Sequence, residues 1–351
     1  MGDVTTEQKI HDSSDKGSGS EFLQVYLVTG GCGFVGSHYL NHAVHAYPNF
    51  QFINIDAMYY CASHENIRKD TRDAKNYLFF ECNINNLTFV KHIILTHGVT
   101  TVVHFAAQSH VDSSFLSEKS LCYTEDNVKG THSLLEAVRQ CDPENRITFL
   151  HFSTDEVYGE SLLGEDAKTE MSLMCPTNPY AASKAASELL VNSYHHSYGL
   201  KCIITRGNNI IGTNQYPEKL IPRFIHLLMA GKKCTVHGSG ESQRSFISVR
   251  DICTAVDCIL EKGVVGQIYN IGSDEKNERS VLEVARYLIS RVVDKSDARS
   301  ETDFIEFVRD RPFNDRRYFI NNAKLQQLGW RQQFTFEDEV DRILESIRAT
   351  L

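Results

Sequence analysis

The sequence predicts an α/β fold in which a doubly wound parallel sheet is followed by a smaller C-terminal region. Three observations support this prediction. From residue 25 onward, short runs rich in β-branched and aromatic residues alternate with amphipathic stretches, which is the pattern of parallel strands joined by crossover helices. In the amphipathic stretches the apolar residues recur near helical spacing, so helices should cover both faces of the sheet. After about residue 213 the alternation weakens.

The predicted elements follow the chain in order. Strands are predicted at residues 25–29, 52–56, 77–81, 101–106, 148–153 and 201–206. Helices are predicted at residues 36–46, 87–95, 127–139 and 179–198. Residues 1–22 are polar and should form a disordered tail, because such a composition buries too little apolar surface to offset its ordering entropy. We expect a main domain at residues 23–212 and a smaller region at residues 213–351 that can return strands or helices to the core.

Composition and charge exclude several classes of protein. The chain has 351 residues, of which 41% are hydrophobic and 23% charged, as in ordinary soluble proteins. Its formal net charge of −9 disfavours nucleic acid or a bilayer as a partner, because binding phosphates from such a partner needs a basic surface. The sequence contains no apolar run of about 18 residues and no cationic stretch leading into an apolar one at its N-terminus. We therefore expect a cytoplasmic protein.

The ten cysteines are scattered through the chain without a Cys-x-x-Cys pair or the spacing of a zinc site. In a chain of this size, that distribution is typical of reduced and mostly buried thiols. We expect neither disulfide bonds nor a bound metal ion.

The first predicted strand runs into a glycine-rich turn that opens a helix, Thr29-Gly30-Gly31-Cys32-Gly33-Phe34-Val35-Gly36. Glycines there allow a tight turn, the close approach of a pyrophosphate and close helix packing, and the helix N-terminus favours the phosphate charge. Asp56 ends the next strand, where an acid can accept hydrogen bonds from a ribose diol and repel a 2′-phosphate. The pattern indicates a Rossmann-type site for NAD rather than NADP. A glycine turn can also serve only to let a helix pack closely.

Tyr180 and Lys184 lie four residues apart at the start of a predicted helix, behind the helix-capping residue Asn178 and Pro179. The spacing places the ammonium group beside the phenol. A lysine cation and a positive nicotinamide ring favour the phenolate, so we expect a lowered pKa that suits Tyr180 to act as a general base. Thr154, at the end of a predicted strand, adds a hydroxyl for the same substrate oxygen. Alone, the Tyr-x-x-x-Lys spacing also occurs as a surface pair in many helices.

Two adjacent acids, Asp155 and Glu156, follow Thr154 directly. Neighbouring acids just past a strand end are often solvated turn residues, but these two should face the substrate because they follow the hydroxyl. One protonated and one ionised carboxyl can deliver a proton to a leaving hydroxide and remove a proton from carbon. This pair therefore indicates a dehydratase rather than a simple epimerase.

Several motifs together resemble the extended short-chain dehydrogenase/reductases, from about residue 25 to residue 330. They are the G-x-x-G-x-x-G spacing of the turn, His104-Phe105-Ala106-Ala107 and Asn127-Val128-Lys129-Gly130-Thr131. At Asn83-Ile84 the family usually has Asp-Ile. The resemblance implies NAD as the cofactor. The implied cofactor-binding residues are Gly30, Gly33, Phe34, Val35, Gly36, Asp56, Asn83, Ile84, Ala106, Ala107, Gln108, Tyr180, Lys184 and Asn209.

A narrower resemblance, to the nucleotide-sugar 4,6-dehydratases, rests on five further motifs. They are Ser153-Thr154-Asp155-Glu156-Val157-Tyr158-Gly159, Asn208-Asn209, Pro217-Glu218-Lys219-Leu220-Ile221-Pro222, Tyr269-Asn270-Ile271-Gly272 and Asp310-Arg311-Pro312. The resemblance implies that Tyr180 is the oxidation base, Asp155 the acid and Glu156 the elimination base. The implied catalytic residues are Thr154, Asp155, Glu156, Tyr180 and Lys184. The implied substrate-binding residues are His110, Thr154, Asn208, Lys219, Leu220, Arg244, Arg311 and Asn314.

Several of the substrate-binding residues also have a plainer interpretation. A single lysine or arginine such as Lys219 or Arg244 is more often a solvated surface cation, and a lone histidine such as His110 is more often structural. A diphosphate held inside an acidic protein nevertheless needs fixed arginine and lysine donors. Clustering of these residues around one cleft would favour the binding role.

The resulting hypothesis is a complete reaction. Tyr180 removes the O4 proton of the sugar while C4 gives a hydride to NAD⁺, Glu156 takes the C5 proton, Asp155 protonates the departing C6 hydroxyl, and the hydride returns to C6. UDP-glucose is the favoured substrate and dTDP-glucose the next, because residues 58–63, 205–209 and 311–318 are similar to eukaryotic-type enzymes, including those of rhamnose synthesis. The alternatives are a nucleotide-sugar 4-epimerase or decarboxylase of the same family and a non-enzymatic NAD-binding scaffold. Relatives pair the two helices at residues 127–139 and 179–198 in a dimer, so the resemblance implies a homodimer.

Overall fold

The computed structural model describes residues 22–162, 164–310 and 315–350, so the predicted tail lies outside it except for residue 22. The strands are β1 (Gln24–Thr29), β2 (Phe50–Asp56), β3 (Tyr77–Glu81), β4 (Thr101–His104), β5 (Thr148–Thr154), β6 (Lys201–Gly207), β7 (Asn209–Ile211), β8 (Cys234–His237), β9 (Gln243–Ser248), β10 (Ile268–Ile271), β11 (Glu278–Ser280) and β12 (Ile305–Val308). The helices are α1 (Phe34–Ala46), α2 (Lys69–Arg72), α3 (Leu87–His97), α4 (Val111–Ser114), α5 (Ser120–Tyr123), α6 (Gly130–Cys141), α7 (Pro179–Tyr198), α8 (Leu220–Met229), α9 (Val249–Lys262), α10 (Val281–Val292), α11 (Ala323–Gln327) and α12 (Phe336–Thr350). None of the helices in these ranges combines the length and apolar character needed to cross a membrane.

Seven strands form a central parallel sheet in the order β10-β6-β5-β4-β1-β2-β3. The chain starts in the middle, at β1, runs outward through β2 and β3, and then returns to β4 on the other side. This is the doubly wound arrangement, and the predicted α/β Rossmann-type fold is confirmed. In such sheets the reversal of strand order, here between β1 and β4, leaves a crevice at the carboxyl ends of the strands.

All six predicted strands are present, and the differences from the prediction are local. The strand predicted at residues 101–106 ends at His104, because the chain then leaves the sheet to pass over the glycine turn. The helix predicted at residues 127–139 starts as a π-helical turn, Thr124–Lys129, before α6 begins. The seventh strand, β10, comes from the C-terminal part of the chain and pairs with β6.

The core lies on both faces of the central sheet, because successive side chains of a strand point to opposite sides. On β4, Val103 packs with α1 and α9, whereas Val102 packs with α3, α6 and α7. On β5, likewise, Leu150 packs in the same cluster as Val103, and Phe149 packs in the same cluster as Val102. Helices therefore cover both faces, as the helical spacing of the apolar residues predicts.

The C-terminal part of the chain builds a second, smaller core. Helices α8, α10 and α12 pack with β8 and β9 around Phe224, Leu288 and Phe336. β8 pairs with β12, and β9 pairs with β7 and β11. Residues of this region and the carboxyl ends of the main sheet line a common cavity.

Candidate active site

A cavity of about 440 Å³ opens at the carboxyl ends of the central strands. One wall consists of segments that follow β1, β2, β4, β5 and β6, and the other comes from α8, β8 and β9. Every predicted site residue in the described ranges lines this cavity, although the chain separates some of them by more than 200 positions. Arg311 and Asn314 lie outside the described residues.

Gly33 of the glycine turn leaves room for a ligand, whereas Gly30 and Gly36 leave room for nothing larger than hydrogen. Gly30 has a φ of +70°, and a Cβ there would lie 2.7 Å from the backbone of Ala106. A Cβ on Gly36 would lie 2.3 Å from the carbonyl oxygen of Gly30. At Gly33 the nearest atom to such a Cβ is 3.3 Å away. Gly30 and Gly36 therefore permit close packing within the turn, while the more open Gly33 lets a phosphate approach the backbone.

The first turn of α1 offers hydrogen-bond donors to the cavity. Gly33 occupies the N-cap position and no side chain in the described part of the chain caps this helix. The first N–H groups of a helix have no acceptor within it, so those of Phe34 and Val35 are available to an anion. Two further donors, the N–H groups of Cys32 and Met58, are each 2.9 Å from the carboxylate of Asp56 and orient it.

Asp56 ends β2 at the rim of the same end of the cavity and is buried. Burial raises the pKa of its carboxyl, and hydrogen bonds from the backbone counteract that effect. A carboxylate accepts about four hydrogen bonds, so capacity remains for a ribose diol. Together with the glycine turn, these features fit the pyrophosphate and ribose of NAD, with Gly33, Phe34 and Val35 at the former and Asp56 at the latter.

Asn127 holds the loop that follows β4 against this end of the cavity. Its Oδ1 accepts from the N–H of Gln108 at 2.7 Å, and its Nδ2 donates to the Gln108 carbonyl at 3.0 Å and to Oγ of Ser183 at 2.8 Å. The loop carries Ala106 and Ala107. The π-helical turn around Asn127 is therefore part of the site, as such turns often are.

Thr154, Tyr180 and Lys184 meet where β5 ends and α7 begins. The Thr154 hydroxyl lowers the pKa of Tyr180. Nζ of Lys184 donates to the carbonyl oxygen of Phe152 at 2.7 Å, and burial lowers the pKa of Lys184 to about 8. The predicted hydroxyl, phenol and amine thus all line the cavity.

The pKa of Tyr180 is shifted in the direction opposite to the one predicted from the Tyr/Lys spacing. Burial raises it most, the Glu156 carboxylate raises it further, and the hydrogen bond with Thr154 lowers it. The prediction rests on the Lys184 cation together with a bound nicotinamide ring, whereas the fold also buries the phenol and places two acids near it. Phenolate formation at Tyr180 therefore needs an additional positive charge, which the nicotinamide ring of NAD⁺ would supply if it bound beside this phenol.

Asp155 and Glu156 form a short 3₁₀ turn after β5 but occupy different surroundings. Asp155 is buried, accepts from Nδ2 of Asn208 at 2.6 Å and from the Thr154 hydroxyl at 3.3 Å. Burial and the neighbouring Glu156 raise its pKa to about 7. A carboxyl of this kind can hold a proton at neutral pH and act as an acid.

Glu156 also has a raised pKa, caused by burial, but several groups favour its ionised form. Nδ2 of Asn178 donates to its Oε2 at 2.9 Å, and the cations Arg244 and Lys219 lower its pKa. Tyr318 adds a longer hydrogen bond at 3.4 Å. Two adjacent carboxyls with different partners are the expected arrangement for an acid and a base.

The predicted substrate residues lie on the far side of the acid pair. Nζ of Lys219 donates to the carbonyl of Ser109 at 2.7 Å, and burial lowers its pKa. The Arg244 guanidinium lies 4.9 Å from the ring centroid of Tyr318. Nδ1 of His110 is 3.2 Å from the Glu218 carboxylate. Lys219 and Arg244 therefore bring positive charge to a cavity wall, where a diphosphate needs it.

Some residues of the site were not predicted from the sequence. Asn178 was assigned only as a helix cap, yet it also contacts Glu156. Asp315 accepts hydrogen bonds from Tyr318 and, at 2.7 Å, from Thr177, and both Asp315 and Tyr318 line the cavity. The position of Asn178 just before the helix that carries Tyr180 and Lys184 was a usable signal. Asp315 and Tyr318 lie in residues 311–318, whose similarity to eukaryotic-type enzymes was used only to choose the nucleotide.

The described part of the chain contains free cysteines but no cluster of side chains arranged as a metal site. All ten cysteines are free thiols. Cys32, inside the glycine turn, is fully buried, and this raises the pKa of its thiol to about 12. Within the described ranges, no group of three or more His, Cys, Asp and Glu side chains is arranged to hold a metal ion.

Comparison with known families gives this geometry a context. The family model described as GDP-mannose 4,6 dehydratase matches residues 27–343. The chain belongs to this family. Its human relative, dTDP-D-glucose 4,6-dehydratase, is 41% identical over 327 residues, which cover 93% of this chain and 91% of the relative. The resemblance to nucleotide-sugar 4,6-dehydratases predicted from the motifs is thereby confirmed.

Other family members extend the comparison. A trifunctional protein of Arabidopsis thaliana, named UDP-glucose 4,6-dehydratase/UDP-4-keto-6-deoxy-D-glucose 3,5-epimerase/UDP-4-keto-L-rhamnose-reductase, is 42% identical over 322 residues. These cover 91% of this chain, which spans only 46% of the plant protein. The crystal structure of dTDP-glucose 4,6-dehydratase from Streptomyces venezuelae, which contains NAD, is 33% identical and has a TM-score of 0.85, with 93% of this chain and 97% of that one covered.

The fold is also similar to that of an epimerase. UDP-glucose 4-epimerase from Thermus thermophilus, solved as a complex with NAD, is 27% identical and has a TM-score of 0.80. The match covers 93% of this chain and all of the epimerase. The choice between these two activities must therefore rest on side chains at the site.

Proposed function

We propose that this chain is an NAD-dependent nucleotide-sugar 4,6-dehydratase that converts UDP-glucose or dTDP-glucose to the corresponding 4-keto-6-deoxyglucose nucleotide. The observation that carries this proposal is the pair of carboxyls beside Tyr180. Asp155 is buried against Asn208 and has a pKa of about 7, whereas Glu156 is approached by Asn178 and two cations. One acid is thus poised to donate a proton and the other to accept one.

The chemistry follows from these positions. NAD, when bound, supplies the acceptor and later the donor of a hydride. Tyr180 takes the O4 proton of the sugar, so that C4 can become a ketone and make the C5 proton acidic. Glu156 removes the C5 proton, and Asp155 donates a proton to the departing C6 hydroxyl, which leaves as water. Lys219 and Arg244 balance the charge of the diphosphate.

The main alternative is a nucleotide-sugar 4-epimerase, given the similar fold of the Thermus thermophilus enzyme. Epimerisation at C4 needs the hydride acceptor and Tyr180 but neither a buried acid nor a second base. Here Asp155 and Glu156 each receive a side-chain amide donor from a distant part of the chain. Such placement of both carboxyls favours water elimination.

Incubation of the purified protein with UDP-glucose and, separately, with dTDP-glucose tests the proposal. A 4-keto-6-deoxy product is expected, detected by the alkaline absorbance of the ketosugar and by loss of one water in mass spectrometry. A competition between the two substrates ranks them, and UDP-glucose is expected to be preferred. Formation of the galactose epimer without loss of water would overturn the proposal in favour of an epimerase.

We also infer that the protein is a cytoplasmic homodimer that associates through the face of α6 and α7. Leu189 of α7 is 58% exposed, and its apolar side chain would gain free energy if a partner covered it. Light scattering of the purified protein is expected to give twice the chain mass of 39.8 kDa. A monomer at micromolar concentration would refute the association. We further place the product in deoxysugar synthesis of the rhamnose type, which detection of labelled rhamnose in cells would test.

A further inference from the structure

A third carboxyl, which the proposed reaction does not use, lies close to the acid pair. Asp315 lines the cavity and is 2% exposed. Its Oδ2 accepts from the Thr177 hydroxyl at 2.7 Å and from the Tyr318 hydroxyl. For its Oδ1, the described part of the chain provides no hydrogen-bond partner. A carboxyl that is buried with one oxygen unpaired costs free energy, which favours a role in the reaction over one in stability.

Asp315 is connected to both groups that approach Oε2 of Glu156. Tyr318 is the first, because its hydroxyl is hydrogen-bonded to Asp315 and also lies 3.4 Å from this oxygen. Asn178 is the second, with its Nδ2 at 2.9 Å from Oε2. Asn178 directly follows Thr177, the other donor to Asp315. Asp315 therefore fixes the surroundings of the proposed base from two sides.

The Tyr318 hydroxyl has one hydrogen and two carboxyls within reach. Burial and the neighbouring Glu156 raise the pKa of Tyr318, so the phenol keeps this hydrogen. A hydroxyl can donate one hydrogen bond and accept others at the same time. When Glu156 is ionised, Tyr318 can donate to it. When Glu156 holds a proton on Oε2, Tyr318 can accept from it only if its own hydrogen points to Asp315.

We propose that Asp315 is a positioning residue for the removal of the C5 proton. It takes the hydrogen of Tyr318, so that the Tyr318 oxygen accepts a hydrogen bond from protonated Glu156. In this step the C5–H bond breaks, its electron pair stays on the sugar as the enolate of the 4-ketone, and the proton forms an O–H bond with Glu156. Tyr318 only reorients its hydrogen. The inference rests on the proposed function, because Glu156 receives a C5 proton only in water elimination.

The charge of Asp315 acts in the same direction as this hydrogen bond. The titratable and charged groups that face Glu156 are Asp155, Tyr180, Lys219, Arg244, Asp315 and Tyr318. Burial raises the pKa of Glu156 most, its hydrogen bond with Asn178 and the two cations lower it, and Asp315 raises it. A weaker base removes a proton from carbon more slowly. Asp315 thus offsets part of the effect of the cations that the diphosphate needs.

The Asp315→Asn variant removes the charge and keeps the geometry, because both hydroxyls donate to one oxygen, which the amide oxygen can replace. We expect ketosugar formation to be roughly 3- to 30-fold slower. The lower limb of its pH profile should move to lower pH by about 0.5–1 unit, because the pKa of Glu156 falls. In a single turnover, the absorbance of reduced nicotinamide should rise at the wild-type rate and decay more slowly. An unshifted limb, or equal slowing of rise and decay, would overturn the proposal.

A purely structural role of Asp315 predicts a different pattern. Thr177→Val removes one hydrogen bond of Asp315 but leaves its charge and its contact with Tyr318, so the lower pH limb should stay in place. A limb that shifts as in Asp315→Asn would count against the proposal. Asp142→Asn is the control for replacing a buried carboxyl. Asp142 is 5% exposed, accepts from the N–H of Ile147 at 2.5 Å and does not line the cavity, so the limb should again be unchanged.

Tyr318→Phe tests the role of the hydroxyl and keeps the proposal open to refutation if Asp315→Asn does not fold. Phenylalanine keeps a ring beside the Arg244 guanidinium, which lies 4.9 Å from the ring centroid of Tyr318, but it can neither donate nor accept. The decay of reduced nicotinamide should therefore slow more than its rise. Decay at the wild-type rate, or slowing no greater than that of the rise, would refute the proposal. Wild-type protein that forms no ketosugar would instead refute the proposed function itself.

Discussion

Asn178 joins the start of α7 to the acid pair: its Oδ1 accepts from the N–H of Ala181 at 2.8 Å, while its Nδ2 donates to Oε2 of Glu156 at 2.9 Å. One amide therefore both caps the helix that carries Tyr180 and orients the proposed elimination base. Because the hydrogen bond lowers the pKa of Glu156, the same contact helps to keep this carboxyl ionised. The two roles can be separated by mutation.

Asn178→Ala is expected to reduce both stability and activity. Loss of the cap should lower the free energy of unfolding by about 1 kcal/mol. Loss of the charged hydrogen bond should slow ketosugar formation roughly 10- to 100-fold and move the lower limb of the pH–rate profile to higher pH, because the pKa of Glu156 rises. Asn86→Ala is a matched control, since Asn86 caps α3 through the N–H of Phe89 at 3.2 Å on the exposed surface. It should lose similar stability without any change in the pH profile.

Glu156→Gln should slow ketosugar formation by about 10²- to 10⁴-fold, because an amide cannot accept the C5 proton. Oxidation at C4 does not need this group, so the absorbance of reduced nicotinamide should accumulate after substrate is added. Glu165→Gln provides the control, because Glu165 pairs with Lys168 at 3.0 Å on a loop and should be dispensable. Full water elimination by Glu156→Gln would show that another residue is the base.

Asp155→Asn should stabilise the protein at alkaline pH. The pKa of Asp155 is raised from 3.8 to about 7 in the folded state, so its contribution to stability is complete below pH 3.8 and is lost as pH rises through about 7. Asparagine is neutral throughout. The variant's advantage in unfolding free energy should therefore grow between pH 4 and pH 8, by a few kcal/mol at most. Urea unfolding at both pH values measures it, and an advantage that is the same at the two would contradict a buried, proton-binding Asp155.

Gly36→Ala should weaken NAD binding because its Cβ would meet backbone, 2.3 Å from the Gly30 carbonyl oxygen and 2.8 Å from Cα of Gly31. The turn must shift to relieve this contact, and we expect at least about a tenfold loss of NAD affinity together with roughly 1–3 kcal/mol of stability. Gly98→Ala separates the two effects. Gly98 has a φ of +64° and open space around it, so alanine there should cost about 1 kcal/mol and leave NAD affinity, measured by calorimetry, unchanged.

Much of the fold was predictable because its signals are local. Alternating strand and helix patterns located β1 to β6 within two residues of their bounds, since the period of apolar residues reflects which face of an element is buried. β10 was missed. Its four residues are too few for a periodic signal, and its place beside β6 depends on the packing of α9, which precedes it.

The features of the candidate site also fall into those that local sequence patterns predict and those that they do not. By itself, the sequence determined the glycine turn, Asp56, Tyr180 with Lys184, and the adjacent acids, because each is a short pattern next to a strand end or a helix start. Only the tertiary structure decided that the pKa of Tyr180 is raised rather than lowered and that Asn208 and Asn178 hold different members of the acid pair. Burial and electrostatic environment depend on every group that surrounds a side chain in space, and no spacing along the chain encodes that sum.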